Sequence, residues 1–220
     1  MFMTEEFSEE HCPCWQSLFS SQLCDVCIRK IRKATFPRSV SFKIDANLKL
    51  RAMTSYTDYM KEYIYLCKSA PFNGLMPTQK NMLKELCAYW AEELKAAEID
   101  ALVAIPSHPF RSLLQSDLAW FLARYLSRAL KKTEPLPLMK RRFFIRGQTY
   151  SSQKHLRKIE RQEFIREQYY VPHRSKYQKL RVLLVDDVCT TGSTLKLCRD
   201  LLERAEHQVH SAIVLSKVGS

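Results

Sequence analysis

The sequence predicts an α/β protein, a parallel sheet flanked by helices behind a small cysteine-rich unit, and three observations carry that reading. Two short aliphatic runs, "ALVAIP" at 101–106 and "VLLV" at 182–185, have the length and composition of strands buried on both faces. Each precedes apolar residues at helical spacing. Leu114, Leu118, Leu122, Tyr125 and Ala129 mark an amphipathic helix over 112–131, and Leu195, Cys198, Leu201 and Leu202 mark a second helix. Strand, crossover helix and later strand make parallel neighbours. Finally, four of the eight cysteines fall between residues 12 and 27.

That cluster, "CPCWQSLFSSQLCDVC", sets Cys12 and Cys14 against Cys24 and Cys27 across a nine-residue loop. Two such pairs can converge on one tetrahedral zinc, each supplying two thiolates. The first pair is tighter than the usual C-x₂-C, so His11 is a substitute ligand. Buried thiols or a redox pair are the alternatives. A disulfide framework does not fit the expected compartment, because "MFMTEEFSEE" lacks the basic and apolar regions of a signal peptide and no segment reaches membrane-span length. The expectation is a cytoplasmic protein, with Cys67, Cys87, Cys189 and Cys198 as ordinary buried thiols.

The elements follow in order. "SVSFKI" and "LKLRAMTSY", joined by Asp45-Ala46-Asn47, read as a β-hairpin. Residues 55–68 and 78–97 read as helices, the second opened by Pro77-Thr78 with Leu83, Leu86, Cys87, Trp90 and Leu94 on its apolar face. "YYV" at 169–171 and "HSAIVLSKV" at 210–218 read as edge strands of the same sheet. The domain expectation is a knot over 1–33 and a main domain over 34–220, with a hood-like hairpin region at 34–75.

The formal charge is +12, and residues 131–181 hold fifteen Lys or Arg against four Glu, a net of +11. Polyanions are the expected partners: a pyrophosphate, a nucleotide or a nucleic-acid backbone. A solvated, solubilising face is the plain alternative. Within this window, residues 140–161 lack sustained periodicity and read as a mobile basic loop.

The most informative string is "VLLVDDVCTTGSTL", residues 182–195. Its helix start would offer unpaired backbone N–H groups, with hydroxyls from Thr190, Thr191, Ser193 and Thr194, while Gly192 lets a bulky anion approach. Asp186 and Asp187 stand at the carboxyl end of the strand, where open α/β sheets bind ligands. A phosphate cup beside two carboxylates suits a phosphorylated sugar. The string lacks the first glycine and the lysine of a Walker loop, and the three glycines of a dinucleotide fingerprint. A strand ending in solvated carboxylates before a hydroxyl-capped helix is the alternative.

In its order of strand, two acids and Thr-Thr-Gly-Ser-Thr, the string resembles the phosphoribosyl pyrophosphate (PRPP) motif of type I phosphoribosyltransferases. That resemblance implies the type I phosphoribosyltransferase fold, ribose hydroxyls on Asp186 and Asp187, and the 5′-phosphate on Thr190, Thr191, Gly192, Ser193 and Thr194. With the cysteine knot in front, the layout resembles the ComF family. Lys68 in "YLCKSAP" matches a basic box of that family, "IPSHPFR" its Pro-rich loop, and "SSQKHLRKIER" its Ser-Gln and Arg.

The resemblance implies PRPP with magnesium as ligand, Lys68, Ser107, His108 and Arg111 as further binding residues, a structural zinc, and an association with natural competence and DNA uptake. Ser107, His108 and Arg111 would face the pyrophosphate, although His108 equally fits an exposed loop position. If the chain is an enzyme, it transfers a phosphoribosyl group as pyrophosphate departs from the anomeric carbon. The carboxylates would then stabilise an oxocarbenium-like transition state. The other class of reading is a non-catalytic single-stranded DNA binder, or an adaptor to the competence machinery, on the same fold. The chain departs from the family where Arg111-Ser-Leu-Leu-Gln115 replaces Arg-Gly-Phe-Asn-Gln, where Phe164 replaces an Asn, and where Ala205-Glu206 replaces a helix-closing glycine.

Overall fold

The computed structural model describes residues 25–35, 41–69, 75–105, 117–131, 136–137, 139–140, 169–170 and 179–219. The elements are α1 (Asp25–Lys33), β1 (Phe42–Lys43), β2 (Lys49–Ser55), α2 (Asp58–Ser69), α3 (Pro77–Leu94), β3 (Ala101–Ala104), α4 (Leu118–Ala129), β4 (Leu136–Pro137), β5 (Met139–Lys140), β6 (Tyr169–Tyr170), β7 (Arg181–Cys189), α5 (Ser193–Arg204) and β8 (Gln208–Lys217).

Local chemistry sets the helix starts. The Thr57 hydroxyl accepts the Met60 amide at 3.3 Å, so α2 begins after β2 has finished pairing. Pro77 opens α3, and Gln79 Oε1 reaches back to accept the Met76 amide at 2.9 Å. The helix expected over 112–131 has its N-cap at Asp117, whose carboxylate accepts the Trp120 amide at 3.2 Å. At the end of α5, Glu206 takes the left-handed conformation that glycine would favour (φ 65°), and His207 N–H donates to Leu202 O at 3.0 Å. The end where Ala205-Glu206 replaces a helix-closing glycine is thus a closed Schellman turn with a glutamate at its left-handed position.

The main sheet runs β1-β2-β8-β7-β3-β4, with β1 antiparallel to β2 and every other pairing parallel. The predicted hairpin is present and continuous with the sheet, since β2 pairs with β8 from Leu50↔Ala212 to Ser55↔Lys217. Two edge-strand expectations are corrected. β8 lies inside the sheet, between β2 and β7, because its run Ala212–Leu215 is apolar on both faces. β6 pairs with β5 in a separate two-stranded sheet.

Strand alternation divides the interior in two. Met53, Leu102, Ala104, Leu183, Val185, Ile213 and Leu215 pack beneath α2, α3 and α4, around the fully buried Trp90 and Tyr63. Leu50, Ala52, Val103, Leu184, Ala212 and Val214 pack on the opposite face against Leu195, Cys198 and Leu202 of α5. Each fully buried aliphatic side chain contributes about 1.5–3 kcal/mol.

This layering positions the site. From β7 the chain crosses through α5 to β8 on one side; from β3 it passes through α4 to β4 on the other. The direction reverses between β3 and β7, so the ligand crevice of such a sheet opens at their carboxyl ends. Among the described residues, no helix is long and apolar enough to cross a membrane.

Candidate functional site

β7 is longer than the apolar run alone suggests and carries the acid pair within its last turns of pairing, as Asp186↔Val214 and Val188↔Ser216. On the other side, the Ile105 amide donates to Val185 O at 2.8 Å, so β3 ends beside the same two carboxylates. The pair therefore sits at the switch point, held by strands on both flanks.

The two acids have different surroundings. Asp187 Oδ2 lies 2.7 Å from Lys68 Nζ, and the two side chains are only 14% and 28% exposed. Lys68 comes from the last turn of α2, which packs on that face of the sheet through Met60, Tyr63, Ile64 and Cys67. Asp186 Oδ1 accepts the Asp187 amide at 2.8 Å. Burial pushes the Asp186 carboxyl well above the ordinary carboxylate range, and the neighbouring charges of Asp187 and Asp117 push the same way. The Asp187 amide and the Lys68 ammonium oppose the shift without reversing it. One carboxylate is thus paired with a cation, and its neighbour is held toward the protonated form.

Beyond the acids the chain turns into α5. Gly192 is the N-cap, at φ 75° and ψ 7°, in the left-handed region. A Cβ there would stand 2.7 Å from Ile44 Cγ2 and 3.0 Å from Ile44 Cδ1, so both backbone conformation and space demand glycine. Gly192, as N-cap, offers the first turn of α5 no side-chain acceptor of its own. The local brace is slight: Thr191 Oγ1 lies 2.9 Å from Ser193 Oγ and accepts the Ser193 amide at a long 3.4 Å. The helix start thus presents backbone N–H groups beside exposed hydroxyls at Thr190, Thr191 and Ser193, the chemistry found where helices meet anions. Cys189, beneath the loop, is buried, and its thiol is pushed up by burial and by Asp186 while Lys217 and the Gly192 amide counter.

Of the predicted site residues, the structure brings together Asp186, Asp187, Lys68 and the loop Thr190, Thr191, Gly192, Ser193 and Thr194. Ser107, His108 and Arg111 lie outside the described residues, as do His11, Cys12, Cys14, Cys24 and the basic stretch 141–161. Cys27 is placed only as a backbone position in the first turn of α1. Among the described residues, no group of three or more metal-ligating side chains comes together. Two contributors escape the sequence reading: Asp117, detectable only as the cap of α4, and the hairpin turn, whose Ile44 covers Gly192.

The chain is an open α/β protein with an acid pair and a glycine-capped, hydroxyl-lined helix start at the switch point of its mostly parallel sheet. Residues 81–220 match the phosphoribosyl transferase domain, and the chain belongs to that family. Among solved structures it is similar to adenine phosphoribosyltransferase from Saccharomyces cerevisiae in complex with adenine and an imino-altritol bisphosphate, at 12% identity, covering 88% of this chain and 89% of that one with a TM-score of 0.44. It is also similar to a second adenine phosphoribosyltransferase structure, at 13% identity, covering 88% and 90% with a TM-score of 0.46. The enzyme from Leishmania tarentolae is 14% identical, with 82% and 100% covered and a TM-score of 0.42. No curated protein matches the chain.

Proposed function

We propose that the protein binds PRPP at the carboxyl end of β7. The observation that carries this reading is the acid pair and the glycine-capped helix start standing together at the sheet's switch point. In this reading the ribose hydroxyls bond to Asp186 and Asp187, taking over contacts that Lys68 makes with Asp187. The loop 190–194 takes the 5′-phosphate on backbone N–H groups and hydroxyls. Ser107, His108 and Arg111 face the pyrophosphate.

Magnesium fits as a companion of the substrate. Asp187 is engaged by Lys68 and Asp186 is held toward its neutral form, so the pair is a poor cage for a bare dication and a good acceptor set for a diol. The ion would ride on pyrophosphate oxygens and water, supplying charge neutralisation there. Calorimetric titration of PRPP with magnesium tests the reading: one saturable site per chain is expected, and no heat of binding would end it.

A second reading, single-stranded DNA binding linked to DNA uptake, draws on the net +11 of residues 131–181 and on Lys30, Arg32 and Lys33 in the last turn of α1. Its affinity would fall with salt at about 0.7 log units per phosphate contacted for each tenfold rise. A salt series with and without saturating PRPP separates the two readings. Competition means that one surface serves both ligands, and no DNA binding at low salt removes the second.

The four early cysteines, Cys12, Cys14, Cys24 and Cys27, form the proposed structural zinc site of the ComF-like layout. Metal analysis is expected to find one zinc per chain, lost in Cys24→Ser. A metal-free, fully folded wild type would contradict it.

A further inference from the structure

The turn between β1 and β2 reaches across to the phosphate loop. Asp45 Oδ1 accepts the amides of Asn47 and Leu48, both at 2.9 Å, which fixes its carboxylate in a tight turn. The same oxygen accepts Arg199 Nη1 at 2.9 Å, and Oδ2 accepts that nitrogen at 3.0 Å, linking residues 154 apart in sequence. Arg199 is no loose partner. It is 12% exposed and is held from behind by Asp200 at 2.9 Å and Glu203 at 3.8 Å. Lys196, one turn nearer the start of α5, places its ammonium 3.7 Å from Asp45 Oδ2. Beside this ion cluster, Ile44 is seated on Gly192.

We propose that Asp45 is a positioning residue for the phosphate loop: through Arg199 and Lys196, and with Ile44 on Gly192, it holds residues 190–194 in the shape that receives a phosphate. The inference rests on the phosphoribosyl reading of that loop. The loop needs an external brace because its own cap is a glycine with no side-chain acceptor and its internal bond is long. Both halves of the brace are rigid, one a hydrogen-bonded turn and the other a helix, so the ion pair transmits position rather than merely neutralising charge.

Electrostatics alone makes the opposite prediction. Removing the Asp45 charge would take a negative charge from beside Lys196 and Arg199, leaving Arg199 to Asp200 and Glu203, so the loop would become more positive and ribose 5-phosphate would bind more tightly. A brace predicts that it binds more weakly. The experiment uses the full chain with Asp45→Ala and Asp45→Asn, measuring affinity for ribose 5-phosphate and for pyrophosphate, and amide hydrogen exchange across residues 191–195.

Asp45→Ala is expected to weaken ribose 5-phosphate by about tenfold, leave pyrophosphate unchanged and speed exchange in the loop. Asp45→Asn, which keeps an acceptor for Asn47, Leu48 and Arg199, is expected to recover most of both losses. Unchanged or tighter ribose 5-phosphate binding with unchanged exchange overturns the proposal. If the wild type binds no ribose 5-phosphate, the phosphoribosyl reading fails by itself, and exchange alone judges the brace: faster exchange in Asp45→Ala supports it and unchanged exchange overturns it. Should Asp45→Ala not fold, Arg199→Lys, which keeps the charge and loses the fork, is read by the same measurements.

Discussion

Gly192→Ala is expected to lower the melting midpoint by roughly 4–20 °C and to abolish PRPP binding. Two costs add. A non-glycine residue in the left-handed region costs about 1–2 kcal/mol, and φ is 75° here. The new Cβ would also meet Ile44 Cγ2 at 2.7 Å, and overpacking of that kind costs about 1–3 kcal/mol. Ile44→Ala in the same chain opens the space without changing the backbone demand. The double variant is therefore expected to regain part of the midpoint but little of the affinity. Melting curves and PRPP titration of the three proteins check this; a Gly192→Ala protein that melts and binds like wild type contradicts it.

The same residue shows what a sequence can and cannot disclose. Gly192 is legible as a turn glycine beside hydroxyls, because the loop chemistry is local. Its steric partner Ile44 is not legible, because that contact arises only when the hairpin folds over α5. Asp45 has the same double character: its turn is plain in Asp45-Ala46-Asn47, while its pairing with Arg199 depends on how β2 docks beside β8.

Parallel strands were legible in the aliphatic runs 101–105 and 182–185. The interior place of β8 had a signal, the unbroken apolar run Ala212–Leu215, that reading it as an edge strand overlooks. The pairing of β6 with β5 had none, since two residues of strand carry no periodicity. Lys68 came from a family resemblance, and its ion pair with Asp187 is a product of tertiary structure alone.

Asp186→Asn with Asp187→Asn is the other large-effect substitution, and its two consequences run in opposite directions. For stability, the carboxyl of Asp186 is raised in the folded protein, so the folded state holds a proton that the unfolded chain releases. Stability then falls as pH rises from about 4, the unfolded value, through the raised folded value, so that at neutral pH Asp186 is a burden. The substitution at Asp186 removes that burden; the substitution at Asp187 removes the partner of Lys68 and offsets part of the gain. The double variant is expected to melt no more than a few degrees from wild type at neutral pH, and Asp186→Asn alone to melt higher, an advantage that disappears below pH 4.

For binding, the variant loses the charged carboxylate of Asp187 and the carboxyl of Asp186, both proposed to face the ribose. A hydrogen bond to a charged group contributes about 1.5–3 kcal/mol and one to a neutral group about 0.5–1.5 kcal/mol, so the two together account for at least about thirtyfold in affinity. Calorimetric titration of PRPP with magnesium into wild type and into Asp186→Asn/Asp187→Asn is the most direct measurement. The account predicts one site per chain in the wild type and binding at least about thirtyfold weaker in the folded variant. Equal affinity in the two proteins would contradict it.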